Sequence, residues 1–264
     1  MATRLPTKLQ PKRFDTHVHS AASPDADMLP QEAIHAAAHQ GLGLIFTEHI
    51  DFHPTGGTDF CADLSRYPHD YAPLRSDAVL LGVEIGLTAP AYEKNAAVAA
   101  KDWDYVLGSV HFTPDGAADL FFTKTFPPPL HAQHLQHILE MVRLNPFFDA
   151  LAHLDYISRY TTLPEKNLFY AEFAATYDAI FAECIARGKV LELNTRRWPD
   201  ATAQQNLFTL FSRYREMGGR HATIGSDAHT VQQVGHMHAQ AFQLLQEAGL
   251  TPVYFRERKM QIMQ

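Results

Sequence analysis

Phe14-Asp15-Thr16-His17-Val18-His19-Ser20 reads as a β-strand that ends in chemistry. Residues two apart in a strand share a face, so His17 and His19 present two imidazoles side by side. That is one edge of a metal site. A His-x-His pair is also common on ordinary exposed strands, so its meaning depends on whether the chain supplies the remaining ligands.

Working outward, the same grammar recurs. Ser23-Pro24-Asp25 leads to Pro30 at a first helical position, a helix over 31–40, and Gly41 as its stop, which makes a first βα unit. The apolar run Leu42-Gly43-Leu44-Ile45-Phe46 closes on Thr47-Glu48-His49, and Val79-Leu80-Leu81-Gly82-Val83 closes on Glu84. Strands over 105–111 and 147–153 end in His111 and His153. A sixth strand over 190–194 and a seventh over 222–225 follow, the latter running into Ser226-Asp227-Ala228-His229. Helices are expected over 130–144, 167–187, 203–217 and 237–247, with a short closing strand over 252–255. The irregular stretch 51–77 is long enough to be a functional loop covering a site, and 112–129 is a second long connection.

Strand and helix alternate throughout with no change of composition. Residues 14–264 are therefore expected to form one α/β barrel-like domain, preceded by a loose basic arm over 1–13. A doubly wound open sheet is the alternative, but no Gly-x-Gly-x-x-Gly follows the first strand to mark a dinucleotide site. The strand ends favour the barrel. In βα barrels the carboxyl ends of the strands converge on the active site, and here they deliver His17, His19, His49, Glu84, His111, His153, Asp227 and His229. Eight ligands exceed what one catalytic zinc needs and suit a cluster of two or three metals, with Glu84 as the natural bridge. Such a cluster lowers the pKa of a bound water and clamps a phosphoryl group, which makes phosphate-ester hydrolysis the reaction that uses the whole set.

Composition points the same way. The chain has 264 residues, 46% of them hydrophobic, enough for a sizeable core. No apolar run reaches the length of a membrane span, and residues 1–13 lack the apolar centre of a signal peptide. With only Cys61 and Cys184, a disulfide scaffold is excluded and a reducing compartment, the cytoplasm, is expected. A net charge of −7 offers no general attraction to nucleic acid or an anionic membrane, so an anionic small molecule must be met by local cations. The 16 histidines, set against 22 Lys and Arg, are the anomaly.

Taken together, Asp15-Thr16-His17-Val18-His19-Ser20, Phe46-Thr47-Glu48-His49, Gly82-Val83-Glu84, Gly108-Ser109-Val110-His111, His153-Leu154-Asp155-Tyr156 and Gly225-Ser226-Asp227-Ala228-His229 resemble the polymerase and histidinol phosphatase (PHP) superfamily, and more closely its monofunctional histidinol-phosphate phosphatase branch. The match runs in order from about residue 13 to 250. The resemblance implies a distorted seven-stranded (β/α) barrel, TIM-like, with a trinuclear centre of zinc, manganese or iron. It places His17, His19, Glu84 and Asp227 on one metal, Glu84, His111 and His153 on a second, and His49 and His229 on a third. Where many relatives add a histidine to the third site this chain has Asp25, an acceptable ligand for a hard ion. Arg159 and Arg196 stand where that branch binds phosphate, with Arg197 as a stand-in for Arg196, and a guanidinium can grip phosphate through two parallel hydrogen bonds. The implied reaction is hydrolysis of L-histidinol phosphate, a step of histidine biosynthesis, with Asp25, His229 or a metal-bound water as candidates to protonate the leaving group. Another phosphate monoester, or a metal-binding module without activity, is the alternative.

Other features read as ordinary. His131, His134 and His137 recur on one helix away from any strand end and are expected on a solvated face, as are His35, His39, His221, His236 and His238. His53 and His69 sit in the long loop. Asp15 is a candidate to hydrogen-bond a ligating imidazole.

Overall fold

The computed structural model describes residues 11–124 and 127–264. Most of the expected 1–13 arm, and residues 125 and 126 of the 112–129 connection, lie outside the described residues. In chain order the elements are β1 (Phe14–Val18), α1 (Pro30–His39), β2 (Gly43–Asp51), β3 (Phe60–Cys61), α2 (Tyr67–Tyr71), β4 (Val79–Gly86), α3 (Tyr92–Ala99), β5 (Tyr105–Ser109), α4 (Leu120–Thr123), α5 (Pro128–Leu144), β6 (Ala150–Leu151), α6 (Tyr170–Ala186), β7 (Val190–Asn194), α7 (Ala201–Glu216), β8 (His221–Gly225), α8 (His238–Glu247), β9 (Thr251–Arg256) and β10 (Lys259–Ile262).

One sheet organises them in the order β1-β2-β4-β5-β6-β7-β8-β9-β10, with β3 hydrogen-bonded to β2 off this path. Pairing is parallel from β1 to β9; β3 and β10 are antiparallel additions. This is a single-domain α/β fold on a mainly parallel sheet. Every residue of β2 and β4 is buried, which is why these strands read as near-continuous apolar runs rather than as alternations. The sheet's first strand and the residue after it also reach β8 and the segment that follows: His19 N donates to Ala228 O at 2.8 Å, Asp227 N to His17 O at 2.8 Å, and Thr16 Oγ1 to Ile224 O at 3.0 Å.

The local signals explain the helix starts. Pro30 opens α1, and Glu32 reaches back to accept from Leu29 N at 2.9 Å, while Asp200 caps α7 by accepting from Thr202 N and Ala203 N. The expected strand over 147–153 is shorter than its apolar pattern, with only Ala150–Leu151 in the ladder. The carbonyls of Pro146, Phe147 and Phe148 are taken by the side chains of Lys189 and Arg258 instead of a neighbouring strand. The stretch 51–77 is less irregular than expected, holding β3, α2 and a 3-10 turn over Ala72–Leu74. Among the described residues no helix is long and apolar enough to cross a membrane.

Candidate metal centre

The strand ends do converge. β1 and the residue just past it bring His17 and His19 together, β2 brings His49, β4 brings Glu84, and the segments just past β5, β6 and β8 bring His111, His153, Asp227 and His229. Glu84 lies at the middle, fully buried, within reach of five imidazoles. Its Oε2 is 3.3 Å from His17 Nε2, 3.5 Å from His19 Nε2 and 3.1 Å from His49 Nδ1; its Oε1 is 2.9 Å from His153 Nε2 and 3.3 Å from His111 Nε2. Asp227 Oδ1 stands 3.6 Å from His17 Nε2 and 3.5 Å from His19 Nε2. Asp25 Oδ2 comes from the loop after β1 to within 3.5 Å of His49 Nε2 and 3.0 Å of His229 Nε2. All nine residues singled out as ligands therefore lie around one point. Asp227 does so with a left-handed backbone, φ +57°.

The donor set fits divalent cations. His17 Nδ1 donates to Glu192 Oε1 at 2.7 Å and His19 Nδ1 points to Ser23 Oγ at 3.2 Å, so both rings commit their protons outward. Their Nε2 lone pairs then face each other at 3.0 Å, an arrangement a cation between them stabilises. Glu84 Oε2, His49 Nδ1 and His111 Nε2 are buried without a hydrogen-bond partner among the described residues. Oxygen and imidazole nitrogen are the ligands of zinc, manganese and iron.

The local field agrees. Burial opposes charge on His17, yet Glu192, Asp227 and Glu84 raise its pKa well above the usual value; His49 and His111 are raised likewise, by Glu84 and by Asp51. Burial alone would raise Glu84 and Asp227, but the imidazoles around them, and Arg159 beside Asp227, hold both well below the carboxylate range. His19 and His153 go the other way, held below the usual value first by burial and then by the cationic groups beside them, so the field is uneven across the cluster.

Arg159 and Arg196 reach the same cavity, lined also by Phe60, Asp119, Phe121, Phe122, Tyr156 and Tyr160. Arg159, on a 3-10 turn over Tyr156–Arg159, pairs with Asp227 through Nη1 and leaves Nε and Nη2 without partners among the described residues. Arg196 Nη1 donates to Asp227 O at 3.0 Å. Phe60 of the 51–77 stretch and Asp119, Phe121 and Phe122 of the 112–129 stretch wall the cavity, so both long connections do cover it.

Four expectations need correction. Arg197 is no stand-in for Arg196, because it is spent on Asp155 Oδ2 at 3.1 Å and Asn167 Oδ1 at 2.8 Å. Asp15 does not orient a ligating ring; it accepts from Ser226 N, Ser226 Oγ and Gly235 N. The carboxylates that do meet candidate ligand rings are Glu192, whose Oε1 is 2.7 Å from His17 Nδ1, and Asp51, whose Oδ1 is 2.7 Å from His111 Nδ1. The histidines of α5 are not solvated: His131, His134 and His137 are 7%, 1% and 8% exposed. His238 is buried too, its Nε2 on Phe14 O at 3.0 Å, whereas His35, His39 and His69 are exposed. Glu192 and Asp51 had readable signals: a lone charge inside an apolar strand, and a carboxylate two residues past a ligand on the same strand face.

Comparison with known proteins places this arrangement. The PHP domain family model matches residues 15–196. A probable histidinol-phosphatase of Clostridium acetobutylicum is 36% identical over 94% of this chain and 98% of its own length. The histidinol-phosphatase of Lactococcus lactis subsp. lactis is 28% identical over 90% of this chain and 92% of its own. The crystal structure of histidinol phosphate phosphatase from that organism, complexed with zinc, L-histidinol and phosphate, superposes with a TM-score of 0.85 at 25% identity, covering 95% of this chain and 99% of that one. The chain belongs to the PHP domain family.

Proposed function

We propose that this protein is a metal-dependent phosphomonoesterase that hydrolyses L-histidinol phosphate to L-histidinol and phosphate. One observation carries the reading: Glu84 joins five imidazoles at the floor of a cavity whose wall holds two arginines tied to the ligand Asp227. The resemblance in sequence to histidinol-phosphatases over nearly the whole chain supports the substrate. In this reading His17, His19, Glu84 and Asp227 hold one cation, Glu84, His111 and His153 a second, and Asp25, His49 and His229 a third. When bound, such cations supply Lewis acidity toward a phosphoryl oxygen and make a water nucleophilic near neutral pH.

The chain's own residues do the rest. The partnerless Nε and Nη2 of Arg159 are free to grip two phosphate oxygens, and Arg196 adds charge from the neighbouring strand end. As the water oxygen bonds to phosphorus and the ester bond breaks, the departing alkoxide needs a proton. With Asp25 and His229 engaged on the third cation, a water at their open side would be the proton source, and Asp25, kept ionised by His229 and His49, would orient it. Phe60, Phe121, Phe122 and Tyr160 offer an apolar wall for the amino alcohol's imidazole, and Asp119 a carboxylate for its ammonium group.

Three further readings accompany this one. Strands β1, β2 and β4 to β8 make the distorted seven-stranded barrel, supported by the hydrogen bonds from β1 to the segment after β8. Residues 14–264 form the domain. The protein acts in the cytoplasm, which free Cys61 and Cys184 support. The test of function is phosphate release by the purified protein from histidinol phosphate and a panel of nucleotide, sugar and aryl monophosphates; kcat/KM highest for histidinol phosphate is the expected result, and no preference for it rejects the substrate.

A further inference from the structure

Two buried carboxylates that are outside the ligand set each touch two ligand residues from different strands. Glu192 on β7 takes His17 Nδ1 with Oε1 at 2.7 Å, while its Oε2 accepts from the backbone N of His153 at 3.0 Å and from Asn194 Nδ2 at 3.1 Å. Asp51, at the end of β2, takes His111 Nδ1 with Oδ1 at 2.7 Å and stands with Oδ2 3.2 Å from His49 Nδ1. Each carboxylate is seated where the adjoining chain has no side chain. A Cβ on Gly225 would lie 2.2 Å from Glu192 Oε1, and one on Gly86 would lie 2.0 Å from Asp51 Oδ1. Gly86 is two residues past Glu84 on β4, and Gly225 two before Asp227 on β8, so the seats are on the same strand ends as the ligands.

We propose that Asp51 and Glu192 are positioning residues that couple the three ligand sets in series, Glu192 joining the first to the second and Asp51 the second to the third. The inference rests on the metal-centre reading above. An imidazole coordinates through one nitrogen, and a carboxylate that holds the other nitrogen's proton fixes both tautomer and ring plane. Each carboxylate holds one imidazole through one oxygen and brings the other to a second ligand residue, Glu192 Oε2 to the backbone N of His153 and Asp51 Oδ2 to ion-pair distance of His49 Nδ1. It cannot shift to relax one without disturbing the other, so a loss at either carboxylate is felt at two adjacent sites and spares the remaining one.

The test uses zinc alone, added back to chelator-stripped wild type, Asp51→Asn, Glu192→Gln and Gly86→Ala, with metal per chain measured by elemental analysis and occupancy of each site by anomalous diffraction. Asp51→Asn should weaken the second and third sites roughly 10- to 100-fold and leave the first as in wild type. Glu192→Gln should weaken the first and second by a similar factor and spare the third. Gly86→Ala, which leaves every ligand and both carboxylates in the sequence, should reproduce the Asp51→Asn pattern because its methyl displaces that carboxylate. It also keeps the Asp51 arm testable if Asp51→Asn fails to fold. Zinc binding unchanged at all sites, or weakened equally at all three, overturns the coupling. A wild type that takes up fewer than two zinc ions per chain rejects the metal-centre reading instead.

Discussion

His17 and His134 are both buried histidines, 0% and 1% exposed, and they have opposite characters. Around His17 stand oxygens of Glu192, Glu84 and Asp227 at 2.7, 3.3 and 3.6 Å, and its pKa is drawn well above the ordinary value although burial opposes this. Among the described residues His134 has no carboxylate partner. Neither of its ring nitrogens finds a hydrogen bond among the described residues, and burial, with His137, His153 and His131 nearby, pushes its pKa down to about 3. Removal from water is common to both, so it does not make a cation site. Carboxylates do, by repaying the desolvation that burial imposes. The α5 histidines are buried rings whose pKa burial lowers, whereas His17 faces carboxylates whose charge a cation would balance.

The largest effect should test that contrast at its centre. Glu84→Gln keeps the shape and removes the charge shared by five imidazoles, and should lower kcat at least ~1000-fold, whereas His134→Phe should leave it near wild type. Steady-state kinetics at saturating metal would decide, and comparable losses in both variants would erase the distinction between the two regions. The arginines extend the same contrast from unspent to spent side chains. Arg159→Ala should reduce kcat/KM roughly 100-fold, because partnerless donors in the cavity are lost. Arg197→Ala should leave kcat/KM nearly unchanged and cost about 1–3 kcal/mol in denaturant unfolding, since it leaves buried Asp155 and Asn167 without their donor.

The smallest effect is one of pH. The unfolded chain protonates His134 near 6.5, while the folded chain resists until about 3, so stability falls as pH drops below 6.5. His134→Phe removes this liability, and its stability relative to wild type should improve by about 2 kcal/mol between pH 7 and pH 5, read by urea unfolding of the metal-free proteins. A constant difference between the two pH values would show that His134 titrates normally and is not the neutral ring described above.

The convergence of the strand-end residues was legible in the sequence because a parallel strand buried on both faces has a nearly pure apolar code, and any polar residue at its end stands out. Leu42 to His49 and Val79 to Glu84 are such cases. What escaped notice had no such background. Helix α3, within Tyr92–Ala99, follows Pro90 in a short alanine-rich stretch with little periodicity, and β10 is an exposed antiparallel edge with mixed residues. The spacing of His131, His134 and His137 gives one helical face but does not say whether that face meets water or α6. Glu192 and Asp51 were missed for a different reason. A carboxylate that holds a ligand's far nitrogen looks, in one dimension, like a carboxylate that is a ligand.

Asp227 carries one more consequence. Its left-handed backbone costs an aspartate about 1 kcal/mol and a glycine almost nothing. A laboratory selection that rewarded folding alone would therefore drift this position toward glycine, and in doing so would erase a candidate ligand and the side-chain anchor of Arg159 together, while the carbonyl that holds Arg196 stayed in place. The position holds an evolutionary tension between durability and turnover in a single residue.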